Sequence, residues 1–142
     1  MIYEFCAENV TLLEKAMQAG ARRIELCDNL AVGGTTPSYG VTKAAVELAS
    51  NYDTIIMTMI RPRGGDFVYN DLEIAIMLED IRLTAQAGSQ GVVFGVLTAD
   101  KKLDKPNLEK LIAASKGMEI VFHMAFDELS EEDQLEAIDR KS

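Results

Sequence analysis

The chain has 142 residues, 48% of them hydrophobic and 26% charged, and its 14 basic and 23 acidic side chains give a net charge of −9. This length suits one domain with a sizeable core, so we expect residues 1–142 to form a single domain. The negative charge argues against a nucleic-acid surface and against binding to acidic membranes. No apolar run approaches the roughly 20 residues that span a bilayer, and the start of the chain lacks the basic segment of a signal peptide. We therefore expect a cytoplasmic protein with free thiols at Cys6 and Cys27.

Short apolar segments alternate with helical patterns along the chain. Thr11 and Thr36 precede the first two helical patterns as candidate N-caps. The alternation of strands and helices predicts a mainly parallel sheet covered by helices. The predicted strands are Ile2 to Cys6, Arg23 to Leu26, Thr54 to Ile60, Gly91 to Leu97 and Glu119 to His123.

Two α/β architectures fit this order of elements. One is a five-stranded doubly wound parallel sheet, which the length favours; the other is the first five units of a TIM-type (β/α)8 barrel. The side-chain pattern favours the barrel, because residues two apart in a strand share a face and one face of these strands carries charge. A doubly wound sheet would bury those charges beneath helices, whereas a barrel with a wet mouth tolerates them. The residues on this face are Glu4, Cys6, Arg23, Glu25, Cys27, Met57, Met59, Arg61, Glu119, Val121 and His123.

The third strand runs directly into a loop with two arginines and two glycines. Guanidinium groups suit bidentate contact with carboxylate or phosphate, and glycines allow a ligand to approach the backbone closely. A polar loop held by a salt bridge is the alternative interpretation of this segment. The predicted anion-binding residues are Arg61, Arg63, Gly64 and Gly65.

Further polar side chains lie near the carboxyl ends of the predicted strands, where parallel α/β folds form their sites. We expect four of them to act in any catalysis: Glu25, Arg61, His123 and Asp127. Each also has a structural alternative. His123 would serve equally as a core histidine, Glu25 and Glu4 as partners of Arg61, and the two cysteines as small buried side chains.

Several ordered motifs resemble those of the CutC family, the cytoplasmic proteins associated with copper homeostasis. The resemblance extends across the whole chain. It rests on Glu25-Leu26-Cys27, Gly33-Gly34-Thr35-Thr36-Pro37-Ser38, Arg61-Pro62-Arg63-Gly64-Gly65-Asp66-Phe67, Leu78-Glu79-Asp80, Leu97-Thr98-Ala99-Asp100, and Phe122-His123 with Ala125-Phe126-Asp127.

The resemblance implies a TIM-type barrel, a homodimer or higher homo-oligomer, and a link to copper. Copper binding would rest mainly on Cys27 with Cys6, helped by Met57, Met59 or His123, since Cu(I) favours thiolate and thioether ligands. Two departures from the family pattern bear on the site. Met124 stands where many relatives have arginine, and Val68 stands where many have cysteine.

Members of this family continue through three further strands, whereas the chain stops at Ser142. A fragment, a truncated reading frame and a half-barrel completed by a partner chain are all compatible with this. Two functions stay open at this point, a Cu(I)-binding copper homeostasis protein and a TIM-barrel enzyme acting on a small anionic metabolite. A chain without catalytic activity is a third alternative, because phosphate sites of such barrels usually come from later loops.

Overall fold

A computed structural model gives the fold and describes residues 4–122 and 131–141, apart from the side chains of Asp133 and Lys141. Five strands alternate with five α-helices in this part of the chain. The strands are Glu4–Glu8 (β1), Arg23–Cys27 (β2), Ile55–Met59 (β3), Gly91–Phe94 (β4) and Glu119–Phe122 (β5). The helices are Leu13–Gln18 (α1), Tyr39–Ala49 (α2), Asp71–Gln86 (α3), Lys105–Ala114 (α4) and Glu131–Lys141 (α5).

The sheet is parallel throughout, and its strand order is β1-β2-β3-β4-β5. Each strand pairs with the next one in the chain, so every crossover advances in the same direction and places its helix on the same face. The doubly wound alternative is therefore wrong, because that fold needs a point at which the strand order reverses. Sequential order is the arrangement of a TIM-type barrel, and the described part comprises five of its β/α units.

The two faces of the sheet differ as the alternation of side chains predicts. The helix-facing side chains form two apolar clusters, one beneath α1 and α2 and the other beneath α3, α4 and α5. Ile24, Ile56 and Val92 are fully buried there. The opposite face carries a small cluster of Cys27, Met57, Met59 and Val93, with Val121 against it, together with the charged side chains. We call this opposite face the concave face.

Two helix starts differ from the sequence prediction. The N-cap of α2 is Ser38, whose hydroxyl accepts a hydrogen bond from the Val41 amide at 3.1 Å. Thr36 is not the cap, because its hydroxyl is bonded to the backbone of Arg61. Helix α1 begins after Leu12, which has a left-handed backbone conformation, so Thr11 is not its cap either. Thr36 is thus used for a tertiary contact, which local sequence patterns do not reveal.

The first strand also extends further than predicted at its carboxyl end. β1 continues to Glu8, because Ala7 and Glu8 pair in register with Leu26 and Cys27 of β2. Residues 1–3 lie outside the described part of the chain. Among the described helices, none is both long and apolar enough to cross a membrane.

Candidate functional site

An ion-pair network crosses the concave face near the amino ends of the strands. Arg23 of β2 pairs with Glu4 of β1 at 3.1 Å and with Glu119 of β5 at 2.7 Å. β2 and β5 are separated by two strands in the sheet, so this contact requires the sheet to curve until its concave face spans them. The sequence pattern placed both residues on one face, but only the curvature brings them into contact.

A groove of about 160 Å³ lies on the concave face beside this network and is lined by side chains from all five strands. Cys6 and Glu25 are level with each other in adjacent strands and both line the groove. Desolvation and the nearby Glu4 carboxylate raise the pKa of Glu25, against the opposing effect of Arg23. Partial desolvation, Glu25 and Glu4 likewise raise the pKa of the Cys6 thiol. Glu25 lies in the middle of β2 and not at its end.

Cys27 is the last residue of β2 and lies one step closer to the carboxyl ends of the strands. Its side chain is 2% exposed, and its thiol donates a long hydrogen bond to the Ala7 carbonyl at 3.6 Å. Desolvation and the neighbouring Cys6 raise the pKa of Cys27 to about 11. Cys6 by contrast is exposed. The two thiols lie on the same face of neighbouring strands, since Cys6 is level with Glu25, two residues before Cys27.

The loop after β2 covers Cys27. Gly34 has a φ of +95°, and a Cβ atom there would lie 3.3 Å from both Cβ and Sγ of Cys27. This conformation and this close approach both favour glycine. Gly34 is therefore packed against a thiol.

Arg61 holds this cover in place. Its guanidinium donates hydrogen bonds to the carbonyls of Val32 at 2.7 Å, Gly34 at 3.0 Å and Gly65 at 2.8 Å, and it is 4% exposed. It also lies over the Phe67 ring, 4.9 Å from the centroid. Among the described residues, no carboxylate forms an ion pair with it, so the suggested neutralisation by Glu25 or Glu4 is wrong. Arg61 joins the loop after β2 to the loop after β3.

Arg63 is also engaged by protein groups. Its guanidinium forms ion pairs with Glu73 at 2.6 Å and Asp66 at 3.1 Å, and donates to the carbonyl of Val68 at 2.8 Å. It lies over the Tyr69 ring, with 5.1 Å to the centroid. Hydrogen bonds from Arg63 lower the pKa of Glu73, and a backbone hydrogen bond together with Arg63 lowers that of Asp66. These contacts fit the alternative interpretation of the segment, a loop held by salt bridges.

The predicted site residues thus fall into separate groups. The structure brings Cys6, Cys27 and Glu25 together on the concave face, whereas Arg61 and Arg63 lie in the loops above. Arg61 follows the register partner of Glu25 by four residues, about 13 Å along the strand direction. The structure does not bring Glu25 to Arg61. His123 and Asp127 lie outside the described residues.

The donor set of the concave face is soft. Within residues 4–122 and 131–141, no three side chains of His, Cys, Asp or Glu are placed to hold one metal ion. Zn²⁺ sites in proteins have three or four ligands of these types. The cluster of Cys27 with Met57 and Met59 instead offers thiol and thioether groups, the donors that Cu(I) favours.

Fold and site together define a parallel α/β protein of TIM-barrel type with thiol and thioether groups on its concave face. The model of the CutC family matches residues 1–141. The chain belongs to the CutC family. It is 54% identical over 140 residues to a CutC family protein of Streptococcus pyogenes and 54% identical over 139 residues to one of Enterococcus faecalis. It is also 45% identical over 125 residues to one of Bacteroides thetaiotaomicron.

A solved structure agrees with this assignment. The crystal structure of a Streptococcus agalactiae protein, provisionally named copper homeostasis protein CutC, matches with a TM-score of 0.91 and 49% identity. That match covers 99% of this chain and 67% of the other. The three sequence matches cover 99%, 98% and 88% of this chain. They cover only 67%, 66% and 49% of the relatives. It therefore spans between about half and two thirds of their length.

Proposed function

We propose that this chain is a cytoplasmic protein of copper homeostasis that binds Cu(I) as cargo through Cys6 and Cys27. The observation that supports it is the position of these thiols. They lie on the same face of adjacent strands, and Cys6 is level with the residue two positions before Cys27. Cys6 lines the open groove and offers access, while Cys27 is buried beneath Gly34. Family membership and the name of the S. agalactiae protein add support.

The raised thiol pKa values fit a cargo site for a soft ion. Both thiols are protonated at neutral pH, because desolvation and nearby carboxylates raise their pKa values. Thiolates, not thiols, attack disulfides and oxidants, so these groups are poor nucleophiles. Cu(I) binding displaces both protons to solvent, which makes the affinity depend on pH. We expect the apparent affinity to rise by up to about tenfold per pH unit for each thiol deprotonated.

Competition with a Cu(I) chelator under anaerobic conditions tests the proposal. The change is Cys6→Ala with Cys27→Ala, singly and together, and we expect the double variant to lose at least about a hundredfold in affinity. Zn(II) serves as the control metal and should bind weakly to all four proteins. An affinity for Cu(I) that is equal in the double variant and the parent, or that does not change with pH, would contradict the proposal.

The alternative function, an enzyme acting on a small anionic metabolite, remains a prediction. Its anion clamp would be Arg61 and Arg63 with Gly64 and Gly65, and its proton-transfer groups Glu25, His123 and Asp127. Arg61 and Arg63 donate to carbonyl and carboxylate oxygens of the protein, so an anion would have to replace those acceptors. This favours the copper proposal. Homo-oligomer formation also remains a prediction, and gel filtration with light scattering would measure it.

A further inference from the structure

Two methionines of β3 line the concave face, and their side chains extend to different neighbours. Met57 and Met59 are both buried, at 2% and 5% exposure, and both belong to the cluster that includes Cys27. From sequence they are equivalent, because they lie on the same strand, two residues apart and on the same face. The structure distinguishes them.

Met59 lies beside Cys27. The register pairs Leu26 of β2 with Thr58 of β3, which brings Cys27 level with Met59 on the next position of the concave face. Gly34, in the loop after β2, shows in which direction the side chains of Cys27 and Met59 extend. A Cβ atom on Gly34 would lie 3.3 Å from Sγ of Cys27 and 3.5 Å from Cε of Met59, so the thiol and the thioether end approach the same point.

Met57 extends the other way, toward β4. A Cβ atom on Gly91 would lie 2.5 Å from Sδ of Met57, so this thioether occupies the space that glycine leaves open at that position. Met57 is level with Glu25 of β2 and, one strand further, with Cys6 of β1, and it lines the groove with Cys6. Its thioether end nevertheless lies at Gly91 of β4. Its side chain therefore fills the floor of the concave face and is directed away from Cys27.

We infer that Met59 is the third ligand of the Cu(I) site and that Met57 is not a ligand. This rests on the proposed function, and it specifies a trigonal site of two thiolates, from Cys6 and Cys27, and one thioether. A thioether carries no proton and no charge, so it adds a soft donor without a further pH dependence. The complex carries one net negative charge. The Arg61 guanidinium is bonded to the carbonyl of Gly34 above Cys27, and Arg23 lines the groove with Cys6, so a cation lies on each side to offset this charge.

The matched pair Met59→Leu and Met57→Leu tests the inference. The substitution is the same in both, it conserves volume, and each site is buried on one strand, so both variants should fold. We expect Met59→Leu to weaken Cu(I) binding by about tenfold or more in chelator competition, and Met57→Leu to change it by less than about threefold. Both variants are made and measured in the 142-residue chain.

X-ray absorption gives a readout that stability does not affect. In the Cu(I)-loaded protein we expect three sulfur ligands, falling to two in Met59→Leu and remaining three in Met57→Leu. With selenomethionine in place of methionine, copper–selenium scattering should be present in the parent and in Met57→Leu and absent in Met59→Leu.

The two proposals fail differently. Equal affinity and equal scattering in Met59→Leu and the parent would overturn the role of Met59 while leaving the two-thiol site intact. Cu(I) binding that survives loss of both cysteines would overturn the proposed function itself. Loss of copper–selenium scattering in Met57→Leu alone would show that Met57, and not Met59, supplies the thioether ligand. That result would also overturn the inference.

Discussion

Replacement of Arg61 by alanine tests how the two loops above the concave face are held together. The guanidinium supplies three hydrogen bonds to the carbonyls of Val32, Gly34 and Gly65, and no other described element joins these loops through a buried cation. The Val32 and Gly65 residues are exposed, so their carbonyls can be hydrated when the arginine is removed. Gly34 is buried, and its carbonyl would lose its partner in a dry environment.

The magnitude follows from these three contacts. Hydrogen bonds to a charged group contribute about 1.5–3 kcal/mol each when buried, and about 1 kcal/mol where water can replace the donor. Stacking on Phe67 adds about 1 kcal/mol. Removal of a buried charge returns part of this, because the guanidinium no longer has to be desolvated. We expect a net loss of about 3 kcal/mol in the free energy of unfolding, out of the 5–15 kcal/mol typical of a domain.

Urea denaturation followed by circular dichroism measures this loss, and thermal unfolding should show a fall of about 10 °C for a chain of this size. Arg61→Lys keeps the charge but lacks the planar fork, so it should recover only a small part of the stability. Arg82→Ala is the control, because Arg82 forms an exposed ion pair with Glu79 on α3 and should show no measurable change. A loss below about 1 kcal/mol in Arg61→Ala, or full recovery in Arg61→Lys, would refute this reasoning.

Two other predictions concern the concave face. Gly91→Ala should destabilise by about 3 kcal/mol or more, because the new methyl group would lie 2.5 Å from Sδ of Met57 and 2.6 Å from the Glu119 carbonyl oxygen. Adding Met57→Ala should recover only part of the loss in urea denaturation, since the backbone contact remains, and complete recovery would contradict the packing described. Glu25→Gln should stabilise the protein at pH 7, because the folded-state pKa of Glu25 is raised by desolvation. The stability that wild-type Glu25 contributes is fully present below its unfolded pKa and is lost as the pH rises through its folded pKa. The difference between variant and parent should therefore vanish near pH 4, and a difference that does not change with pH would contradict the raised pKa.

The division of the sheet into two faces could be predicted from sequence because alternation is a local property. Glu4, Arg23 and Glu119 lie on the concave face, and Ile24 and Ile56 on the helix-packed face, as the period of two requires. Strand order followed less directly: the charged face of the strands favoured the barrel, and the sequential order of the sheet confirms it. Length favoured the doubly wound sheet, and length carries no information on whether a crossover advances or reverses.

Contacts that depend on the curvature of the sheet also could not be predicted from the sequence. Arg23 and Glu119 are 96 residues apart, and they form a hydrogen bond because the sheet bends by the right amount. The role of Arg61 was missed for a related reason. A guanidinium fork suits carboxylates, phosphates and clustered carbonyls alike, so the side chain alone does not reveal which acceptor it meets. The glycines of the loops after β2 and β3 could have indicated backbone carbonyls as its partners.

The vertical order of groups on the concave face explains why one protein can carry both carboxylates and a soft donor set. Glu4 and Glu119 are held at the amino ends of the strands by Arg23, whose single positive charge offsets part of theirs. Cys27 and Met59 lie at the carboxyl ends beneath Gly34. Glu25 stands between the two levels, and its carboxylate raises the pKa values of both thiols. Because a thiol must lose its proton to bind a metal, the site we propose would disfavour weakly bound cations and favour an ion whose bond to sulfur is strong enough to displace protons, as that of Cu(I) is.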